Sequence, residues 1–219
     1  MARVMRGLIV DWGGVLTPPV HVAISRWVAA SGVDHDHYLS VVRRWVQPEP
    51  GVDSPVHRLE RGEISIEVFE RALAEALAQE GSRVEAEGLV SQMFADLAIY
   101  EDSMTSLVSR ARAAGVRTAL LSNSWGNDYD RSDWDDMFDA VVISGEVGMR
   151  KPEPGIFALT LERIGLAAGE CVFVDDLPHN VSAAVEVGLT GVVHRSFAQT
   201  ASELEEHFPG AVWVHQSRR

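Results

Sequence analysis

Apolar positions along the chain fall into two regimes. From Gly115 onward, short β-rich runs alternate with stretches of helical period, the runs being Arg117 to Leu121, Ala140 to Ile143, Cys171 to Val174 and Gly191 to Val193. An earlier run, Leu8-Ile9-Val10, ends at Asp11 and passes into Trp12-Gly13-Gly14-Val15-Leu16-Thr17. Apolar runs alternating with helices predict a parallel sheet flanked by helices, an α/β fold of Rossmann-like type. Pro154 suits a first helical position, Phe157, Leu161 and Ile164 recur at helical spacing, and Gly165 supplies a stop. A second such helix runs from Pro178 through Val181, Ala184 and Val185 to Gly188.

Between Pro18 and Leu97 the pattern is helical throughout, without a convincing strand. Ile66, Phe69, Leu73 and Leu77 mark one face of a helix that Ser65 caps and Gly81 ends. Val20, Ile24, Trp27 and Val28 mark another that ends near Gly32, and Leu39, Val42 and Trp45 a third. The proline-rich patch from Pro48 to Pro55 reads as an irregular connection inside this block. A helical block of roughly 80 residues is too long for an ordinary loop. The pattern therefore predicts an α/β core over residues 1–17 and 98–219, with an all-helical cap inserted at 18–97.

Composition narrows the partners. With 219 residues and 46% apolar content the chain can bury a sizeable core. Nineteen basic against 32 acidic residues give a formal charge of −13, which repels nucleic acid and anionic lipid. Cys171 is the single cysteine, so no intramolecular disulfide forms. The apolar run after the basic start is broken by Asp11 too early for a signal segment, and no other run reaches the ~20 residues of a membrane span. These features predict a cytoplasmic protein whose partners are neither nucleic acid nor membrane, with both monomer and homodimer allowed.

Candidate chemistry sits where strands end, the edge at which open α/β sheets bind ligands. Asp11 follows the first run, Ser122 and Asn123 the second, and Asp175-Asp176 follow Val172-Phe173-Val174, while Lys151 stands in Gly148-Met149-Arg150-Lys151-Pro152. Adjacent carboxylates repel unless a cation or base lies near. Asp11, Asp175 and Asp176 together make an oxygen-rich site suited to Mg²⁺. A lysine and a hydroxyl beside it would hold the remaining oxygens of a phosphoryl group, and one carboxylate facing phosphorus can act as nucleophile.

These segments resemble the four motifs of the haloacid dehalogenase superfamily: Asp11 to Thr17, Leu120-Leu121-Ser122-Asn123, Lys151-Pro152, and Val174-Asp175-Asp176 with Asn180 following. They occur in order, and the helical block lies where that family inserts its cap. Glu60-Arg61-Gly62-Glu63-Ile64-Ser65 and Gly148 to Glu153 are most similar to the capped branch containing α-glucose-1-phosphate phosphatase and the N-terminal phosphatase domain of epoxide hydrolase. The resemblance implies that Asp11 attacks phosphorus and forms an aspartyl-phosphate that water hydrolyses. It further implies Mg²⁺ held by Asp11, the main-chain carbonyl of Gly13, and Asp176 with Asp175 beside it or one shell out. Ser122, with Asn123, would bind phosphoryl oxygen, Lys151 would neutralise charge, and Asn180 would orient the acidic loop.

Gly13 departs from the family, which usually places a second aspartate there to protonate the leaving oxygen. Such assistance contributes about 10²–10⁴-fold. Three readings follow: a phosphatase whose proton comes from the cap, water or substrate; a fold that binds a phosphorylated metabolite or partner without turnover; and a 2-haloacid dehalogenase. The third is disfavoured by the acid pair Asp175-Asp176, since dehalogenases lack the metal site. His21, His35, His37 and His57 are the cap histidines from which a donor could come. Trp12 and Trp125 either wall the substrate pocket or pack, and the acidic run Asp128, Asp130, Asp133, Asp135 and Asp136 reads as a solvated segment near a helix start.

Overall fold

The computed structural model describes residues 5–46, 54–95, 100–126 and 129–212. In chain order the elements are β1 (Gly7–Val10), α1 (Val20–Ser31), α2 (His35–Val46), α3 (Pro55–Glu60), α4 (Ile66–Glu80), α5 (Leu89–Met93) and α6 (Asp102–Ala113). There follow β2 (Arg117–Ser122), α7 (Trp134–Met137), β3 (Ala140–Ile143), α8 (Ser144–Val147), α9 (Pro154–Ile164), β4 (Cys171–Asp175), α10 (Pro178–Glu186), β5 (Thr190–Val193) and α11 (Phe197–His207).

Among the described residues five strands form one parallel sheet in the order β3-β2-β1-β4-β5. The central strand β1 is buried along its whole length. Its side chains alternate between the two faces, as the pleat requires. Leu8 and Val10 pack with Met104, Leu107 and Val108 of α6 and Leu204 of α11. Ile9 faces the opposite layer with Phe173 of β4, Ile156 and Phe157 of α9, and Ala184 of α10. Val10 is level with Leu120 on one side and Val174 on the other, so the residues that follow all three strands emerge at one edge.

Helices α1 to α5 share an apolar cluster of their own, built on Trp27, Val41, Phe69, Leu73, Leu77 and Met93. Helix α4 forms as its sequence predicts: Ser65 accepts a hydrogen bond from Val68 N, and Gly81 ends the helix in the left-handed conformation at φ 111°. The cluster belongs to an inserted helical layer, consistent with a cap over the sheet edge. One expectation needs correction. Most of the proline-rich patch lies outside the described residues, but Pro55 opens helix α3 instead of closing an irregular connection. Proline suits that first position because its missing N–H has no helical partner there anyway.

Candidate active site

Asp11 leaves β1 at the C-terminal edge of the sheet, its own N–H donating to Val174 O at 2.9 Å. Oδ1 of its carboxylate accepts from Trp12 N at 2.7 Å and from Lys151 Nζ at 2.7 Å. The same ammonium donates to Asp175 Oδ2 at 2.7 Å, so Lys151 bridges the ends of β1 and β4. Lys151 is only 1% exposed, and it also lies 5.6 Å from the centre of the Phe173 ring. An ammonium so deeply buried persists because two carboxylates compensate its lost hydration.

The two neighbouring acids of the last motif have different surroundings. Asp175 is fully buried: Oδ1 accepts from Leu177 N at 2.8 Å, and both oxygens lie 3.1 Å from Nδ2 of Asn180. Its oxygens are thus committed to Lys151, Asn180 and the turn into α10. Asp176 is half-buried, and Gly14 makes room for it: a Cβ on Gly14, whose φ is +75°, would stand 2.5 Å from Asp176 Oδ2. Carboxylate oxygens of Asp11, Asp175 and Asp176 all lie within 4.8 Å of one another, a grouping able to hold a metal ion.

Charge shows the same requirement. With all three carboxylates ionised, the single ammonium of Lys151 within the cluster would leave an excess of two negative charges. Burial pushes the Asp11 carboxyl up to about 8, with Lys151 pulling it down and Asp175 and Asp176 pushing it further up. Burial and the Asp175 charge raise Asp176 to about 6. Burial alone would depress the Lys151 ammonium, but Asp11 and Asp175 outweigh it and hold Lys151 above the ordinary lysine range. Hard oxygen donors with surplus negative charge fit a small divalent cation.

Ser122 ends β2 at the same edge, its Oγ 3.0 Å from the hydroxyl of Tyr129. Asn123 is tied to the lysine loop. Its Oδ1 accepts from Lys151 N at 2.8 Å while its Nδ2 donates to Lys151 O at 3.0 Å, so the side chain helps to fix that loop. Tyr129 carries no motif signal. Its sole mark in the sequence is an aromatic residue beside a run of acids, and its contact with Ser122 is tertiary. Its ring meets Trp12 edge-on at 4.9 Å. Trp12 lies beside Asp11, with its indole N–H buried and without a hydrogen-bond partner among the described residues.

Trp125 turns away from this group and packs edge-on against Phe69 of α4 at 5.1 Å and Phe94 at 5.2 Å, plugging the cap cluster. Its indole also donates to Glu60 Oε1 at 3.3 Å, and Glu60 is ion-paired with Arg150, the residue before Lys151. Gly62 approaches so closely that a Cβ there would lie 2.5 Å from Gly145 O. Among the cap histidines, His37 is tied to Ser82 at 2.9 Å and the His57 imidazole is pushed down by burial and Arg150. His21, in the first turn of α1, is near enough for its charge to bear on Asp176. Asp130, Asp133, Asp135 and Asp136 are exposed around the start of α7, as a solvated segment should be, while Asp128 lies outside the described residues.

Comparison with known proteins follows the same lines. The chain is 31% identical over 199 residues to mouse acyl-CoA dehydrogenase family member 10, a match covering 85% of this chain and 18% of that protein. It is 26% identical over 170 residues to rat bifunctional epoxide hydrolase 2, covering 70% of this chain and 30% of the relative. The chain therefore spans less than a third of either relative. A HAD family enzyme from Bacteroides thetaiotaomicron, solved in complex with magnesium and inorganic phosphate, shares the fold with a TM-score of 0.60 at 21% identity, covering 98% of this chain and all of that one. No helix among the described residues is long and apolar enough to cross a membrane. With the sequence profile of the haloacid dehalogenase-like hydrolases matching residues 5–188, the chain belongs to that family of hydrolases.

Proposed function

We propose that the chain is a Mg²⁺-dependent phosphomonoester hydrolase acting on a small phosphorylated metabolite, with a sugar phosphate as the expected substrate class. The observation that carries this reading is the convergence of Asp11, Asp175 and Asp176 within 4.8 Å around the buried ammonium of Lys151. A dehalogenase has no use for the surplus charge of this cluster. Asp11 and Asp176 would hold the cation together with the Gly13 carbonyl, whereas Asp175 is occupied by Lys151 and Asn180. When bound, the cation supplies the positive charge that keeps the carboxylates ionised and offsets charge on the phosphoryl oxygens.

Oδ1 of Asp11 is engaged by Trp12 N and Lys151 Nζ, which leaves Oδ2 to attack phosphorus. The P–O bond to the leaving alcohol breaks as the acyl phosphate on Asp11 forms, and water attack at phosphorus then releases inorganic phosphate and restores the carboxylate. Lys151 and the Ser122 hydroxyl face the charge on the transferring group. Support for the branch comes from the epoxide hydrolase relatives, and support for the cation from the Bacteroides enzyme of the same fold that binds magnesium and phosphate.

The test is hydrolysis of an aryl phosphate, then of a panel of phosphorylated metabolites, with and without Mg²⁺. Turnover that requires Mg²⁺ and is abolished by Asp11→Asn is expected. Metal-independent chloride release from a 2-haloacid, or ligand-induced thermal stabilisation with no turnover, would overturn the reading.

A further inference from the structure

Tyr129 belongs to none of the four motifs, yet its hydroxyl lies inside the phosphoryl end of the site. It stands 3.0 Å from Ser122 Oγ and is also hydrogen-bonded to the side chain of Ser124. The charges of Asp11 and Lys151 both bear on it. Ser124 is fixed in turn, its N–H donating to the buried Ser144 Oγ at 2.8 Å.

The ring is held from several directions. Trp12 meets it edge-on at 4.9 Å, and Trp134 packs against it at 5.4 Å, tilted by 58°. Trp134 is itself anchored, donating from Nε1 to the Tyr100 hydroxyl at 3.1 Å, and Tyr100 donates to Asp130 O at 2.7 Å. The Arg131 guanidinium lies 5.9 Å from the Tyr129 ring centre. A phenol clamped this firmly loses little entropy when it holds a neighbour in place.

A serine hydroxyl has one proton and a freely rotating O–H, so on its own it points wherever an acceptor is available. We propose that Tyr129 is a positioning residue for Ser122: its phenolic O–H donates to Ser122 Oγ, which directs the serine proton at the incoming phosphoryl oxygen. Burial pushes the Tyr129 hydroxyl up to about 12, so it remains a donor throughout the neutral range. Tyr129 acts through Ser122 on a phosphoryl oxygen and transfers no proton to the leaving alcohol. The effect is therefore the same for good and poor leaving groups.

This inference rests on the phosphate-handling reading of the site, and the experiment separates the two. Inorganic phosphate binding and phosphatase kinetics are measured with Mg²⁺ for wild type, Tyr129→Phe, Ser122→Ala and the double variant. Phenylalanine keeps the ring packing, and the melting temperature verifies the fold. Tyr129→Phe is expected to weaken phosphate binding and lower kcat/KM by about 2- to 13-fold, the worth of one hydrogen bond. The loss should be equal for aryl and alkyl phosphates and should vanish in the Ser122→Ala background. An unchanged loss in that background, a loss that grows with leaving-group pKa, or no phosphate binding by the wild type would overturn the proposal. Phosphate binding without turnover would defeat the phosphatase reading alone, and the four-protein binding cycle would still decide Tyr129.

Discussion

Gly14 and Asp176 are set so closely that no side chain fits between them: a Cβ on Gly14 would lie 2.5 Å from Asp176 Oδ2 and 2.8 Å from its Cγ. Gly14 also holds φ at +75°, a conformation that costs an L-residue about 1–2 kcal/mol. Gly14→Ala is therefore expected to displace the Asp176 carboxylate as well as strain the turn. Titrating Mg²⁺ against melting temperature should show stabilisation weakened by at least about 10-fold in concentration, in the range seen when groups supporting a metal site are removed. Full retention of cation response in this variant would show that Asp176 is not a ligand.

The acid cluster predicts a particular pH profile for the cation-free chain. Asp11 and Asp176 have folded-state values raised from 3.8 to about 8 and about 6, so across this interval the folded chain binds more protons than the unfolded one. Stability from these groups is full below the unfolded value and is lost as pH rises through the folded ones. Lys151 is shifted in the opposite region, above the ordinary lysine value, and does not alter this window. Melting temperature without metal should fall between about pH 5 and pH 8, and the increment from Mg²⁺ should grow over the same range. A metal increment that shrinks with rising pH would contradict the assignment.

Much of this arrangement is legible in the sequence because each strand announces itself locally. Asp11, Ser122 and Asp175 follow continuous apolar runs, and parallel strands in register bring such ends to one edge. Helix α4 is equally plain, since Ser65, Gly81 and a clean apolar face all agree on its limits. What periodicity does not carry is the partner of a side chain. Asn123 follows Ser122 at the strand end, and its bonds to both main-chain groups of Lys151 have no mark in the sequence. Trp125 stands near the motif but is drawn into the cap by Phe69 and Phe94, and Tyr129 reaches Ser122 from an irregular loop. Loop contacts between residues distant in register leave no repeating signature.

The ground of the missing acid is taken by the first turn of α1. A Cβ on Gly13 would meet Val20 Cγ2 at 3.1 Å, and the next residue, His21, bears on Asp176. If His21 supplies the leaving-group proton, His21→Gln should slow alkyl phosphates by about 10²-fold or more while sparing nitrophenyl phosphate, whose leaving group needs little assistance. Gly13→Asp combined with Val20→Ala makes room for the family's usual acid and should restore alkyl-phosphate turnover in the His21→Gln background. Equal effects on both substrates would assign His21 to binding and leave protonation to water.

Glu60 and Arg150 tie the cap to the loop that carries Lys151. Their side chains are 9% and 12% exposed, and Glu60 also accepts from Trp125, so removing one partner strands a largely buried charge. Arg150→Met is expected to cost about 3–5 kcal/mol, measured by urea denaturation, and Glu60→Leu a similar amount. The double variant should recover most of that loss, because two apolar side chains of comparable volume need no countercharge. Activity should behave differently. Arg150 is covalently next to Lys151, whose ammonium must stay 2.7 Å from both Asp11 and Asp175. The double variant, stable but without the ion pair, should therefore have lower kcat than wild type if cap docking fixes the lysine loop. Wild-type kcat in that variant would show instead that Asn123, which holds both main-chain groups of Lys151, is sufficient to place it.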